Sequence, residues 1–264
     1  MIAVCLVHFN ETNLLDYGMS LTERLNPGLD LTYFITENSP YKAKTRFAVE
    51  YVPGKPNGDP RQHHSDGLTR AIAQAKQYKP EFIILTEPDF IQTMPLQTII
   101  NYMNEKNLDV IGTPYGKKGR QLDWSKHTEC LVTNVPTIHF LIARSTVQDF
   151  PLNLFSQQAK TFVPFTNKIG EVDTSIAFRQ NLYKYRSEAF KLCLWTECSI
   201  CREGGIHIDG KFKELAGKTE KLFLQNQMMG LHLQRYESND LSLLRINVEN
   251  AISNKIYHPL NNFL

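Results

Sequence analysis

Apolar residues in this chain gather into short unbroken runs, each closed by a polar turn, with stretches of helical period between them. Ile2 to Val7 runs without interruption to His8 and stops at Phe9-Asn10-Glu11-Thr12-Asn13. A short apolar run with polar flanks predicts a buried strand. Thr12 or Asn13 can cap a following helix that continues to about Leu25. Leu31 to Ile35 predicts a second strand, ending in the turn-forming Thr36-Glu37-Asn38-Ser39-Pro40. Leu68, Ile72 and Ala75 then recur at helical spacing behind Ser65 and Asp66, either of which can cap that helix. Phe82 to Leu85 predicts a third strand. Beyond it, Pro95 suits the first position of a helix reaching about Lys106, Leu108 to Gly112 reads as a strand, and Pro136 to Arg144 reads as a longer one with Ser145 capping a helix behind it. Strands alternating with helices predict an α/β fold with a mostly parallel sheet.

The second half is patterned less regularly. Thr113 to Thr128 carries Gly, Lys, Tyr and Trp without a period and predicts a long binding-type loop. Its Tyr115 and Trp124 can stack on a sugar or base, or cover a core edge. An amphipathic helix carrying Ile176, Phe178 and Leu182 follows Asp173 and Thr174, both good caps. Phe190 to Trp195 predicts another strand, and a loop then runs through Gly204-Gly205-Ile206-His207-Ile208-Asp209-Gly210. Apolar residues from Leu222 to Leu233 and from Leu241 to Ile252 suggest two helices. The expected organisation is an α/β domain over 1–220 and a helical C-terminal extension over 221–264, which packs on the core, covers the site or offers an oligomer face.

Composition narrows the function. A chain of 264 residues suffices for one substantial core, and 42% hydrophobic residues is ordinary for a globular protein. A net charge of +2 gives no electrostatic case for a dedicated nucleic-acid or membrane-surface protein. The cluster Lys117-Lys118-Gly119-Arg120 reads as solvated surface or as a phosphate contact. No apolar run approaches the roughly 18 residues of a membrane-spanning helix. The first apolar run lacks a basic segment before it, so it reads as a strand and not a signal peptide. Five cysteines, an odd number, fit reduced thiols in a cytoplasm. Cys198 and Cys201 have the spacing of half a zinc site or a redox pair, with Cys193 and His207 nearby; buried or loop thiols are the simpler reading.

The chemistry concentrates at Glu87-Pro88-Asp89. Carboxylates at the C-terminal tip of a buried strand stand where open α/β sheets bind ligands. Their oxygens suit a hard divalent cation, and that cation suits a diphosphate. A plain polar turn is the competing reading, since Pro88 and Asp89 are ordinary turn residues.

The order of these pieces resembles the family 2-like glycosyltransferases of GT-A fold. The resemblance rests on His8-Phe9-Asn10-Glu11 after the first strand, Glu37-Asn38-Ser39 after the second, and Gly67, Arg70 and Ala75 in the helix before Glu87-Pro88-Asp89. It covers about residues 2 to 90; Glu37 and Glu87 stand where that family usually carries Asp. It implies a GT-A (Rossmann-like) mostly parallel mixed sheet flanked by helices. It implies transfer of a sugar from a nucleotide-sugar, UDP-sugar favoured, to a hydroxyl on a glycan, protein, small molecule or modified nucleic-acid base. His8, Asn10, Glu37, Asn38, Ser39 and Arg70 would hold the nucleotide, and Glu87 and Asp89 would hold Mn²⁺ or Mg²⁺. A late His-x-x-Gly, here His207 and Gly210, would complete the metal's shell. An acidic residue at the start of a late helix would be the general base of an inverting reaction, Asp173 first and Glu171 second. A nucleotidyltransferase is disfavoured because no Gly-rich basic loop follows the first strand; a non-catalytic GT-A-like binding protein is the remaining alternative.

Overall fold

The computed structural model describes residues 1–9, 12–37, 39–54, 60–114, 136–144, 161–163, 168–170, 198–201, 205–208, 211–214, 218–224, 227–234, 245, 248–249 and 252–253. Its first half follows the expected alternation: β1 (Ile2–His8), α1 (Thr12–Leu25), β2 (Leu31–Glu37), β3 (Ala48–Pro53), α2 (Pro60–Lys76), β4 (Phe82–Thr86), β5 (Phe90–Gln92), α3 (Leu96–Lys106), β6 (Val110–Pro114) and β7 (Pro136–Arg144). Six of these strands form one sheet in the order β3-β2-β1-β4-β7-β6. β3, β2, β1 and β4 pair in parallel, whereas β7 runs antiparallel to both β4 and β6. The result is the expected α/β fold, a mostly parallel mixed sheet flanked by helices.

Alternation along β1 divides the core. Ile2, Val4 and Leu6 point to one face, where α1, α3 and β5 pack; Ala3, Cys5 and Val7 point to the other, against Leu68, Ala71 and Ala75 of α2. Both faces are covered, which is why the parallel strands read as continuous apolar runs. α2 lies close on the sheet because Gly67 has no side chain. A Cβ there would meet Val7 Cγ2 at 2.7 Å, and Thr36 Oγ1 donates to the Gly67 carbonyl at 2.6 Å.

Several boundaries differ from expectation. α2 starts at Pro60, so Ser65 and Asp66 lie inside the helix and do not cap it; proline suits a first helical position because its missing N–H has no intrahelical partner there. Pro95 is the N-cap of α3 and not its first residue. The strands β3 and β5 had no counterpart in the apolar pattern.

The second half departs further. β8 (Thr161–Val163) pairs with β9 (Lys168–Gly170), and β11 (Gly205–Ile208) pairs with β12 (Lys211–Glu214). The expected loop around His207 is therefore a strand pair, with His207 opposite Phe212. Cys198 and Cys201 begin and end β10 (Cys198–Cys201). The first helix expected in the C-terminal extension is instead β13 (Lys218–Leu224) and β14 (Gln227–Gln234), antiparallel to each other. They form a second sheet in the order β10-β13-β14-β5, and β13 runs through positions 220 and 221. The backbone hydrogen bonds of this sheet outweigh local helical spacing, because β14 finds an edge to pair with at β5. The described residues after it, Arg245, Val248, Glu249, Ile252 and Ser253, are helical. Arg24 on α1 meets the Glu249 carboxylate with two contacts of 2.7 Å, and the Arg245 guanidinium lies 5.1 Å over the Tyr17 ring. Among the described residues, no helix is long and apolar enough to cross a membrane.

Candidate active site

The chain leaves β4 at Thr86 and turns sharply, with Phe90 N–H donating to the Glu87 carbonyl at 3.1 Å. Pro88 occupies the second position of this four-residue turn, where its fixed φ fits. The turn presents two carboxylates and then enters β5. β5 pairs with β14 in a register that sets Phe90 opposite His232. Thr93 and Met94 N–H both donate to the Met229 carbonyl, at 2.9 and 3.2 Å, and Thr93 Oγ1 donates to the Met228 carbonyl at 3.0 Å. This pairing carries the imidazole of His232 to the turn.

There His232 Nε2 stands 3.2 Å from Glu87 Oε2 and 3.5 Å from Asp89 Oδ2. One ligand atom from each of the three residues lies within 4.8 Å of the others. The set fits a divalent cation by its chemistry: two hard carboxylate oxygens and one borderline imidazole nitrogen, on a pair of elements fixed by sheet hydrogen bonds. His232 is buried, while the two carboxylates are partly open to solvent. Beneath the turn, the Phe90 ring stacks on Phe140 of β7 with centroids 5.0 Å apart.

The tips of β1 and β2 share this edge of the sheet. β1 pairs with β4 with Cys5 opposite Leu85, so His8 is level with Pro88 along the strands, and His8 itself pairs with Glu37. His8 is fully buried. Its Nδ1 is 2.9 Å from Glu37 Oε1 and its Nε2 is 3.4 Å from Thr12 Oγ1. Ser39 N–H also donates to Glu37 Oε1, at 3.0 Å, and the Tyr41 ring lies 4.3 Å from the imidazole. Burial, and then the hydrogen bond to Asp16, push the Tyr41 hydroxyl well above the usual tyrosine range. Glu37 Oε2 is buried and has no hydrogen-bond partner among the described residues. Phe9, just past β1, is exposed. Arg70 on α2 donates to the Pro53 carbonyl at 2.6 Å, beside Glu37 in the β2–β3 pairing. A cavity of about 40 Å³ lies under α1 between Leu6, Leu15, Gly18, Phe90 and Phe140, touching Glu87 at one end. It is largely apolar core space and does not include the polar residues at the tips of β1 and β2.

Of the residues expected from the sequence, His8, Glu37, Ser39, Arg70, Glu87 and Asp89 thus stand at one sheet edge. Asn10, Asn38, Glu171 and Asp173 lie outside the described residues, as do Tyr115, Trp124 and Cys193, and so does the side chain of His207. The imidazole brought to the carboxylates is His232, which the sequence did not single out. Its only local signal is a histidine inside an apolar run, Met228-Met229-Gly230-Leu231-His232-Leu233.

No protein-family profile and no curated protein sequence matches the chain. Solved structures with a related backbone include the galactosyltransferase LgtC in complex with donor and acceptor sugar analogs, 9% identical over 68% of this chain and 69% of that one, with a TM-score of 0.47. They also include the mannosyltransferase PcManGT from Pyrobaculum calidifontis in complex with GDP-Man and Mn²⁺ (12% identical, 59% and 48% covered, TM-score 0.37). A third is glucosyl-3-phosphoglycerate synthase from Mycobacterium tuberculosis (15% identical, 60% and 59% covered, TM-score 0.37). All three TM-scores fall below 0.5, so what the site can do follows from its own geometry.

Proposed function

We propose that the chain is a metal-dependent glycosyltransferase of GT-A fold that moves a sugar from a UDP-sugar to a hydroxyl acceptor with inversion. The observation that carries this reading is the convergence of Glu87, Asp89 and His232 at the C-terminal edge of the sheet, level with the tips of β1 and β2. Asp89 and His232 would hold Mn²⁺ or Mg²⁺ with help from Glu87, His232 taking the part expected of His207. Such a cation, when bound, supplies Lewis-acid stabilisation of charge on a departing diphosphate.

The chain's own groups account for the remaining steps. Glu37 Oε1 faces His8 Nδ1 and accepts from the Ser39 amide, so this carboxylate would order the tips of β1 and β2 where the nucleotide is expected. Phe9 offers an exposed ring for the base to stack on. Asp173, with Glu171 as second choice, takes the acceptor's hydroxyl proton as that oxygen bonds to the anomeric carbon. The bond from that carbon to the diphosphate breaks with its electron pair leaving on UDP, and a single displacement inverts the centre.

Release of UDP from a panel of UDP-sugars, with and without Mn²⁺, tests the reading. Slow Mn²⁺-dependent release that Asp89→Ala abolishes is the expected result. No release with any donor or divalent ion, or an undiminished Asp89→Ala variant, contradicts it. Glu37→Gln should weaken UDP binding by about tenfold, since the hydrogen bonds to its charge that order His8 and the Ser39 turn are worth about 1.5–3 kcal/mol.

A further inference from the structure

Glu87 differs from Asp89 by one methylene, and the extra rotor must be held if its carboxylate is to stay in a metal site. Two imidazoles from separate elements flank it. His232 on β14 approaches Oε2 at 3.2 Å, and His64 on α2 approaches Oε1 at 3.9 Å. The two histidines thus face opposite oxygens of one carboxylate, His232 at close contact and His64 in ion-pair range beyond hydrogen-bond distance. His64 is half-shielded and sits one helical turn before Gly67, where α2 is locked onto the sheet by the Val7 contact and the Thr36 hydrogen bond. An imidazole carried on so fixed a helix can fix the carboxylate in turn.

We infer that His64 is a positioning residue for the metal site, facing Glu87 Oε1 across ion-pair range so that Oε2, Asp89 and His232 Nε2 turn to the cation together. The inference rests on the metal-dependent reading above. His64 acts through Glu87 and is not itself a ligand. Outer partners of this kind set ligand orientation, and their removal typically lowers metal affinity about 10–100-fold.

Titration of the full chain with Mn²⁺ in the presence of UDP, followed by the Mn²⁺ paramagnetic resonance signal, tests it. His64→Ala should weaken Mn²⁺ binding about tenfold with an unchanged unfolding midpoint, and His64→Gln, which keeps a polar group of similar reach beside Oε1, should recover part of the loss. In the Glu87→Ala background, His64→Ala should cost nothing further, because its route to the metal is gone. Wild-type affinity in His64→Ala, or a loss that adds in full to that of Glu87→Ala, overturns the inference and leaves the metal site standing. A wild-type chain that takes up no Mn²⁺ overturns the metal-dependent reading and this inference with it.

Discussion

In the proposed metal site single side chains carry the chemistry, and His232 carries most of the test. It would be the one imidazole among the three candidate ligands, and it is buried beside the carboxylates. His232→Ala should lower Mn²⁺ affinity by more than the roughly 10–100-fold expected for an outer partner; calorimetric titration measures it, and wild-type affinity would remove His232 from the site. Cys5 makes the opposite case, a reactive group silenced by the fold. Its thiol is fully buried and burial pushes its ionisation far up. Iodoacetamide should therefore leave Cys5 unlabelled in the folded chain and modify it in urea, as read by peptide mass spectrometry, because only the thiolate reacts. The turn that carries Glu87 and Asp89 was legible in the sequence because a strand's end and a proline turn are local signals. The approach of His232 to that turn was not, because its place depends on which strand β14 pairs with, and no residue near it encodes that.

Elements bring those side chains together through two glycines. Gly67 lets α2 approach β1, and Gly230 lets β14 approach β5: a Cβ at Gly230 would run into the Phe90 ring and stand 2.9 Å from the Ile91 carbonyl oxygen. Gly230→Ala should destabilise the chain by about 1–3 kcal/mol and weaken Mn²⁺ binding as His232 moves away. Gly28→Ala, where nothing lies within 4 Å, is the control and should fall within about 0.5 kcal/mol of the wild type in urea denaturation. The pairing at β14 also explains why the apolar residues after Leu222 were misread. Short apolar runs fit helix and strand periods alike, and Gln225-Asn226, which joins β13 to β14, lacks the glycine that marks most two-residue hairpins. β1, β2 and β4 raised no such ambiguity, since buried parallel strands announce themselves as unbroken apolar runs.

Over the whole molecule, ionisation couples to stability at high pH. The Tyr17 hydroxyl is pushed up to about 12, first by burial and then by Glu249, with Arg24 and Arg245 opposing. Burial also raises Tyr33 and Tyr41. Folding favours the neutral phenol in each, whereas the unfolded chain ionises near pH ~10. That stabilisation is present in full below about pH 10 and declines as pH rises towards 12, because the folded state then binds more protons than the unfolded one. The urea midpoint should accordingly fall between pH 8 and pH 11; a constant midpoint would contradict this. The exposed Arg24–Glu249 pair, which ties the C-terminal helical residues to α1, should matter little, at about 0–1 kcal/mol for Glu249→Gln. The α/β class was legible at this scale from the alternation of runs. The second sheet was not, because it joins β5, a strand of three residues, to segments from the far end of the chain. The sharpest single observation is anomalous diffraction at the manganese edge from crystals grown with UDP and Mn²⁺. The account predicts one peak at the Glu87, Asp89 and His232 group, in contact with the bound UDP; a peak held by His207, or none at this edge of the sheet, would contradict it.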